Sequence, residues 1–93
     1  GKKGDPISVT ASGKVTYSGY EGEYGNVVKV KHPNGFETRY AHLSATRVRK
    51  GQNIEAGTVV GLLGSTGRST GPHLHYEILK NNKKVNPEKY FHF

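Results

Sequence analysis

The 93-residue sequence contains no cysteine, tryptophan or methionine. Without cysteine there is no disulfide framework, which suits a reducing compartment or a disulfide-free secreted protein and decides between neither. Apolar residues are scarce, at 32% with a mean hydropathy of −0.70. No run is long and apolar enough to span a membrane as a helix. Acidic residues are few, 7 against 14 basic ones, for a formal net charge of +7. A basic surface attracts polyanions. The basic residues are scattered, however, with no basic helix and no aromatic stacking motif, so nucleic acid is not indicated. There is no linker, low-complexity tract or internal repeat, and the length allows one domain at most, residues 1–93, with a modest core.

What is present is glycine, 13 residues that punctuate short Val/Ile/Tyr-rich runs. That pattern predicts a mostly β protein of short strands joined by turns, and argues against disorder. Strands are expected at 9–11, 14–17, 26–32, 36–42, 58–63 and 73–79, with 44–50 irregular. Asn81-Asn82 reads as a turn into Lys84-Val85. Asn86 and Pro87 suit the cap and first position of a short terminal helix.

Around Pro33-Asn34-Gly35 the register of a hairpin can be argued. A three-residue loop places His32 opposite Phe36, Val30 opposite Thr38 and Val28 opposite Tyr40, which matches the apolar faces. A slip of one residue inverts them. Gly35 then takes the left-handed position that such loops need. Continued alternation places His42 on the face of Tyr40, away from bulk water.

The chemistry gathers at His73-Leu74-His75. Alternation gives one face to Leu74, Tyr76 and Ile78, and the other to His73, His75 and Glu77. The two imidazoles then project to one side, about 6–7 Å apart, a separation that suits two ligands of one metal, or one ligand and one acid/base residue. Zinc favours imidazole, and a catalytic site keeps a position open for water. A polar, glycine-rich loop precedes the pair, where functional residues tend to gather. Structural roles compete with this reading. Spacing alone leaves His73 and His75 evenly balanced, and pattern alone makes His42 a strand-end residue. His32 and His92 read as ordinary loop and tail histidines. Glu77 reads as a solvated strand residue or as a partner orienting an imidazole. No serine sits in a nucleophile elbow, and the carboxylates form no acid/base pair.

Gly64-Ser65-Thr66-Gly67-Arg68-Ser69-Thr70-Gly71-Pro72-His73-Leu74-His75-Tyr76-Glu77 resembles the signature segment of the LytM/lysostaphin-type zinc metallopeptidases, which are peptidoglycan endopeptidases. Tyr40-Ala41-His42-Leu43-Ser44 is similar to their other histidine motif. Gly4-Asp5-Pro6-Ile7, Gly25-Asn26-Val27-Val28, Gly51-Gln52 with Gly57, and Val85-Asn86-Pro87 extend the likeness along nearly the whole chain. The resemblance implies an antiparallel β-sheet or sandwich with a central groove, a duplicated hybrid motif. It implies hydrolysis of amide bonds in peptidoglycan stem peptides or cross-bridges, in the periplasm or the extracellular cell envelope. His75 would be a zinc ligand. His42 and His73 would handle the water, the protons and the oxyanion, and Tyr40 would line the groove.

One element of that pattern is missing. The family's His-x-x-x-Asp motif, which supplies two further zinc ligands, precedes the Gly4–Ile7 segment, and only Gly1-Lys2-Lys3 stands there. The chain therefore reads as a domain shortened at its N-terminus, holding Zn2+ weakly or not at all without upstream ligands, since such sites need three. The alternative is a degenerate, non-catalytic module that binds cell wall or activates another hydrolase. A biotinyl-type carrier, suggested by Val48–Gln52 and Ala56–Gly61, lacks a modifiable lysine in its usual setting. A sheet edge left open by the missing segment would favour dimerisation or strand exchange.

Overall fold

The computed structural model describes residues 4–64, 75–81 and 83–85. They form one curled antiparallel sheet of eight strands: β1 Pro6–Ser8, β2 Gly13–Glu21, β3 Gly25–Lys31, β4 Phe36–Thr46, β5 Asn53–Ile54, β6 Val59–Leu63, β7 His75–Lys80 and β8 Lys83–Val85. The strand order is β1-β6-β4-β3-β2-β5, with β7 joined to β4 and β8 joined to β7.

The β3–β4 hairpin has the register expected from its apolar faces. Val30 stands opposite Thr38 and Val28 opposite Tyr40, and the His32 N–H donates to the Phe36 carbonyl at 2.8 Å. Asn34 and Gly35 both take positive φ, 64° and 79°. Valines of β2 and β3, with Tyr40 and Leu43 of β4 and Val60 of β6, form the core with Val9, Val48 and Ile54. Burying such a side chain contributes about 1.5–3 kcal/mol each.

Three expectations change. Residues 9–11 are not a strand: Val9 instead ties down a turn, accepting from the Gly57 N–H and donating to Thr58. β2 runs on to Glu21, because its polar end pairs with the start of β3. Ser44–Thr46, expected to be irregular, continues β4, because Ala45 and Thr46 pair with β6. The expected terminal helix lies outside the described residues.

Candidate active site

Three irregularities in the sheet coincide at His42. On one edge of β4, residues Phe36–Ala41 pair with β7, whereas Leu43–Thr46 pair with β6. His42 is the residue at which one partner replaces the other. On the other edge the register with β3 shifts between Asn26 and Val28, so β4 carries one extra residue there. Such a bulge re-aims side chains. The third feature is local: His42 has a φ of 59°, a left-handed conformation uncommon for any residue but glycine.

Simple alternation therefore stops at Ala41. Leu43, three residues after Tyr40 rather than two, shares its core cluster. His42 is nonetheless buried, at 7% exposure. Asn26 completes the bulge, its amide Nδ2 donating to the Leu43 carbonyl at 3.0 Å. The Asn26 position in Gly25-Asn26-Val27-Val28 thus has a structural reason.

β7 opens at the same place. His75 stands opposite Ala41, and Leu63, the last residue of β6, stands opposite Leu43. The backbone thus brings His75 beside His42. His73 lies outside the described residues. The Gly64 backbone rides over Ser44, close enough that any Cβ at Gly64 would collide with the Ser44 main chain. The N-terminal end of β1 reaches this end of the sheet too: Gly4 donates to the Leu63 carbonyl and Leu63 donates back to Asp5, both at 2.7 Å.

The remaining candidates are placed differently. Tyr40, expected on a groove wall, is 2% exposed and belongs to the core. Its ring lies 5.2 Å from that of Tyr76, and burial pushes its phenol well above the ordinary pKa. His32 is engaged at both ring nitrogens, Nδ1 donating to the Ser12 carbonyl at 2.8 Å and Nε2 bonded to the Thr38 hydroxyl at 2.7 Å. A histidine so bound is structural. Zinc accepts imidazole readily, but a protein site normally needs three ligands. Among the described residues no three His, Cys, Asp or Glu side chains could share an ion. By themselves they do not fit a complete zinc site.

Glu77 is not a solvated strand residue. It accepts from the Tyr24 hydroxyl at 2.8 Å and pairs with Lys84 at 3.0 Å and Arg39 at 3.8 Å. Arg39 donates onward to Tyr24 at 3.2 Å and to Glu37 at 2.6 Å. Burial works against the Arg39 charge, but the bonds to Glu37 and Tyr24 hold its pKa above the usual value. The Lys84 pKa is raised as well, by its bond to Glu77. Alternation puts Glu77 on the histidine face, as a solvated residue or a partner of an imidazole, but does not reveal this cluster. The missing signal was the Arg39–Glu77 pairing, which follows only once β7 is docked on β4.

The profile of Peptidase family M23 matches residues 1–87. The chain belongs to peptidase family M23. Among curated relatives, this M23 chain is 53% identical over 85 residues to the DD-carboxypeptidase/endopeptidase Mpg of Neisseria meningitidis, covering 91% of the chain and 20% of that protein. It is 43% identical over 86 residues to the peptidoglycan DD-endopeptidase ShyA of Vibrio cholerae, covering 92% of the chain and 20% of that protein. The chain thus spans about a fifth of the length of these relatives. Among solved structures, a zinc-containing peptidase from Vibrio cholerae superposes with a TM-score of 0.87 at 40% identity, over 91% of the chain and 26% of its own. The catalytic domain of lysostaphin from Staphylococcus simulans superposes with a TM-score of 0.89 at 31% identity, over 97% of the chain and 72% of its own. The antiparallel M23 architecture expected from the sequence is therefore the architecture found.

Proposed function

We propose that this M23 chain is part of a zinc metalloendopeptidase that hydrolyses peptide cross-links or stem peptides of bacterial peptidoglycan. The observation that carries the reading is the convergence at His42. A buried, left-handed histidine sits on a bulge exactly between the end of β6 and the start of β7, where His75 begins. A non-glycine residue held in that conformation costs about 1–3 kcal/mol and tends to persist where function requires it.

In this reading His75 is a zinc ligand. His42 and His73 position the attacking water, pass its proton to the leaving amine and stabilise the oxyanion of the tetrahedral intermediate. The two further zinc ligands come from a His-x-x-x-Asp segment ahead of β1. This reading is supported by the bonds of Gly4 and Asp5 to Leu63, which bring the N-terminal end of β1 to the His42 end of the sheet. The name of the Vibrio cholerae relative supports peptidoglycan as substrate, and that substrate would put the activity in the cell envelope.

The test is hydrolysis of purified sacculi by the full-length protein. Release of soluble peptides is expected, abolished by chelation, restored by zinc, and reduced about 10²–10⁴-fold by His42→Ala with the fold intact. Binding to sacculi with no hydrolysis under any metal condition would sink the enzyme reading and favour a non-catalytic wall-binding module.

A further inference from the structure

We propose that the sheet carries a second subsite, remote from His42, that takes a free carboxylate of a peptidoglycan stem peptide; its ligand assignment rests on the reading of peptidoglycan as substrate. Lys14 and Lys31 are direct cross-strand partners on β2 and β3. Like charges so opposed are destabilising, and their Cβ atoms stand only about 5 Å apart. Both lysines are exposed and line one shallow, open depression of about 500 Å³.

Among the described residues no carboxylate lines that depression. The acid nearest in register, Glu37 opposite Lys31, is committed to Arg39 at 2.6 Å. Other polar lining groups are already spent: both His32 ring nitrogens are bonded, and the Thr16 hydroxyl donates to the Lys29 carbonyl at 3.3 Å. The polar residues left along this lining are Lys14, Lys31, Ser12 and Asn53. Each of these side chains can donate a hydrogen bond, and a charge-assisted bond from an ammonium group to a carboxylate is the strong kind. Gly13 lets β2 lie close against β3 here, since a Cβ there would come within 2.6 Å of the Lys31 carbonyl. Pro33 and Ile54 add apolar wall for the body that carries the anion.

Position favours a polymer over a small metabolite. Lys31 lies five residues along β3 from Asn26, about 17 Å at 3.3–3.4 Å per residue. Lys29, two residues before Lys31 on β3, is committed to Glu21 at 2.9 Å and leaves Lys31 as the cation open to a ligand at this end of the strand. A peptidoglycan strand lying along β3 spans the distance from Lys31 to Asn26 easily, so one carboxylate can be held while a distant amide is presented at His42. The subsite therefore acts on retention of the polymer and leaves the chemistry of the bond alone.

The experiment uses the full-length protein and a Lys14→Gln/Lys31→Gln variant, with N-acetyl-D-alanine as the carboxylate probe. Saturating amide shifts at Gly13, Lys31 and Asn53 are expected in the wild type and absent in the variant. Retention on sacculi should fall about tenfold in the variant, while hydrolysis of a small soluble cross-linked peptide dimer is unchanged. The variant should melt no lower than the wild type, because a like-charge pair has been removed. Shifts that never saturate, or sacculus retention that survives the double substitution, overturn the proposal. Loss of binding to phosphatidylglycerol vesicles with sacculus retention intact also overturns it and assigns the lysines to a membrane surface. Failure of the wild type to cleave the dimer sinks the endopeptidase reading instead, and the probe titration still decides the subsite.

Discussion

His42 shows how one residue can be constrained three ways. It is buried, it is left-handed, and it stands at a change of strand partner. The left-handed region penalises β-branched side chains most, whereas asparagine tolerates it. His42→Val should therefore lower stability by about 1–2 kcal/mol more than His42→Asn. Paired urea melts measure this, and equal midpoints would mean that the bulge relaxes around any side chain. The candidate itself was legible, because Tyr40-Ala41-His42-Leu43-Ser44 carries a recognisable motif. Its geometry was not. Period-2 reasoning assumes an unbroken strand, and the break depends on β6 and β7, which are distant in sequence. The same limit explains Tyr40. It lies two residues from the candidate His42 along the chain, yet its ring packs on Tyr76 in the core.

At the scale of elements, β7 is short and must keep its register for His75 to remain opposite Ala41. A slip of one residue would turn every side chain over. Two devices resist it: the buried Ile78 and the cluster in which Glu77 meets Tyr24, Arg39 and Lys84. Glu77→Gln removes a charge that Arg39 and Lys84 share, and should cost about 1–3 kcal/mol. It should also accelerate hydrogen exchange across β7 and β8 while leaving β2–β3 protected; uniform acceleration would show that β7 is not a separate unit. Gly64 is a second point of control. Gly64→Ala drives a methyl group into the Ser44 backbone and should destabilise by about 1–3 kcal/mol, read as a lowered melting temperature. The β3–β4 hairpin was legible to the residue because turn chemistry and apolar faces agreed. Ser44–Thr46 was not, since only its partner β6 makes it a strand.

The whole molecule is one sheet with ends at β1, β5 and β8 among the described residues. Exposed edges offer unpaired backbone groups to other chains. Self-association that grows with concentration is therefore expected, measured by sedimentation velocity between about 10 and 200 µM, a range suited to weak edge pairing. A single monomeric species across it would show that the edges are protected. The fold class was legible from composition, because glycine-punctuated apolar runs leave few alternatives to short strands. The curl that joins β7 and β6 to the same edge of β4 was not, since it depends on pairing between segments far apart in sequence.

That shared edge has a consequence for engineering and for divergence. The connection from β6 to β7 departs from β4 at Leu43 and returns to it at Ala41, with one residue between its two anchors. Its length is thus uncoupled from the register of the sheet. Insertions between these two anchors carry a chain-closure entropy that rises only logarithmically, about 0.6 kcal/mol per doubling of length. A scaffold so arranged can vary the number of residues ahead of His73 and still deliver the next strand to the same address.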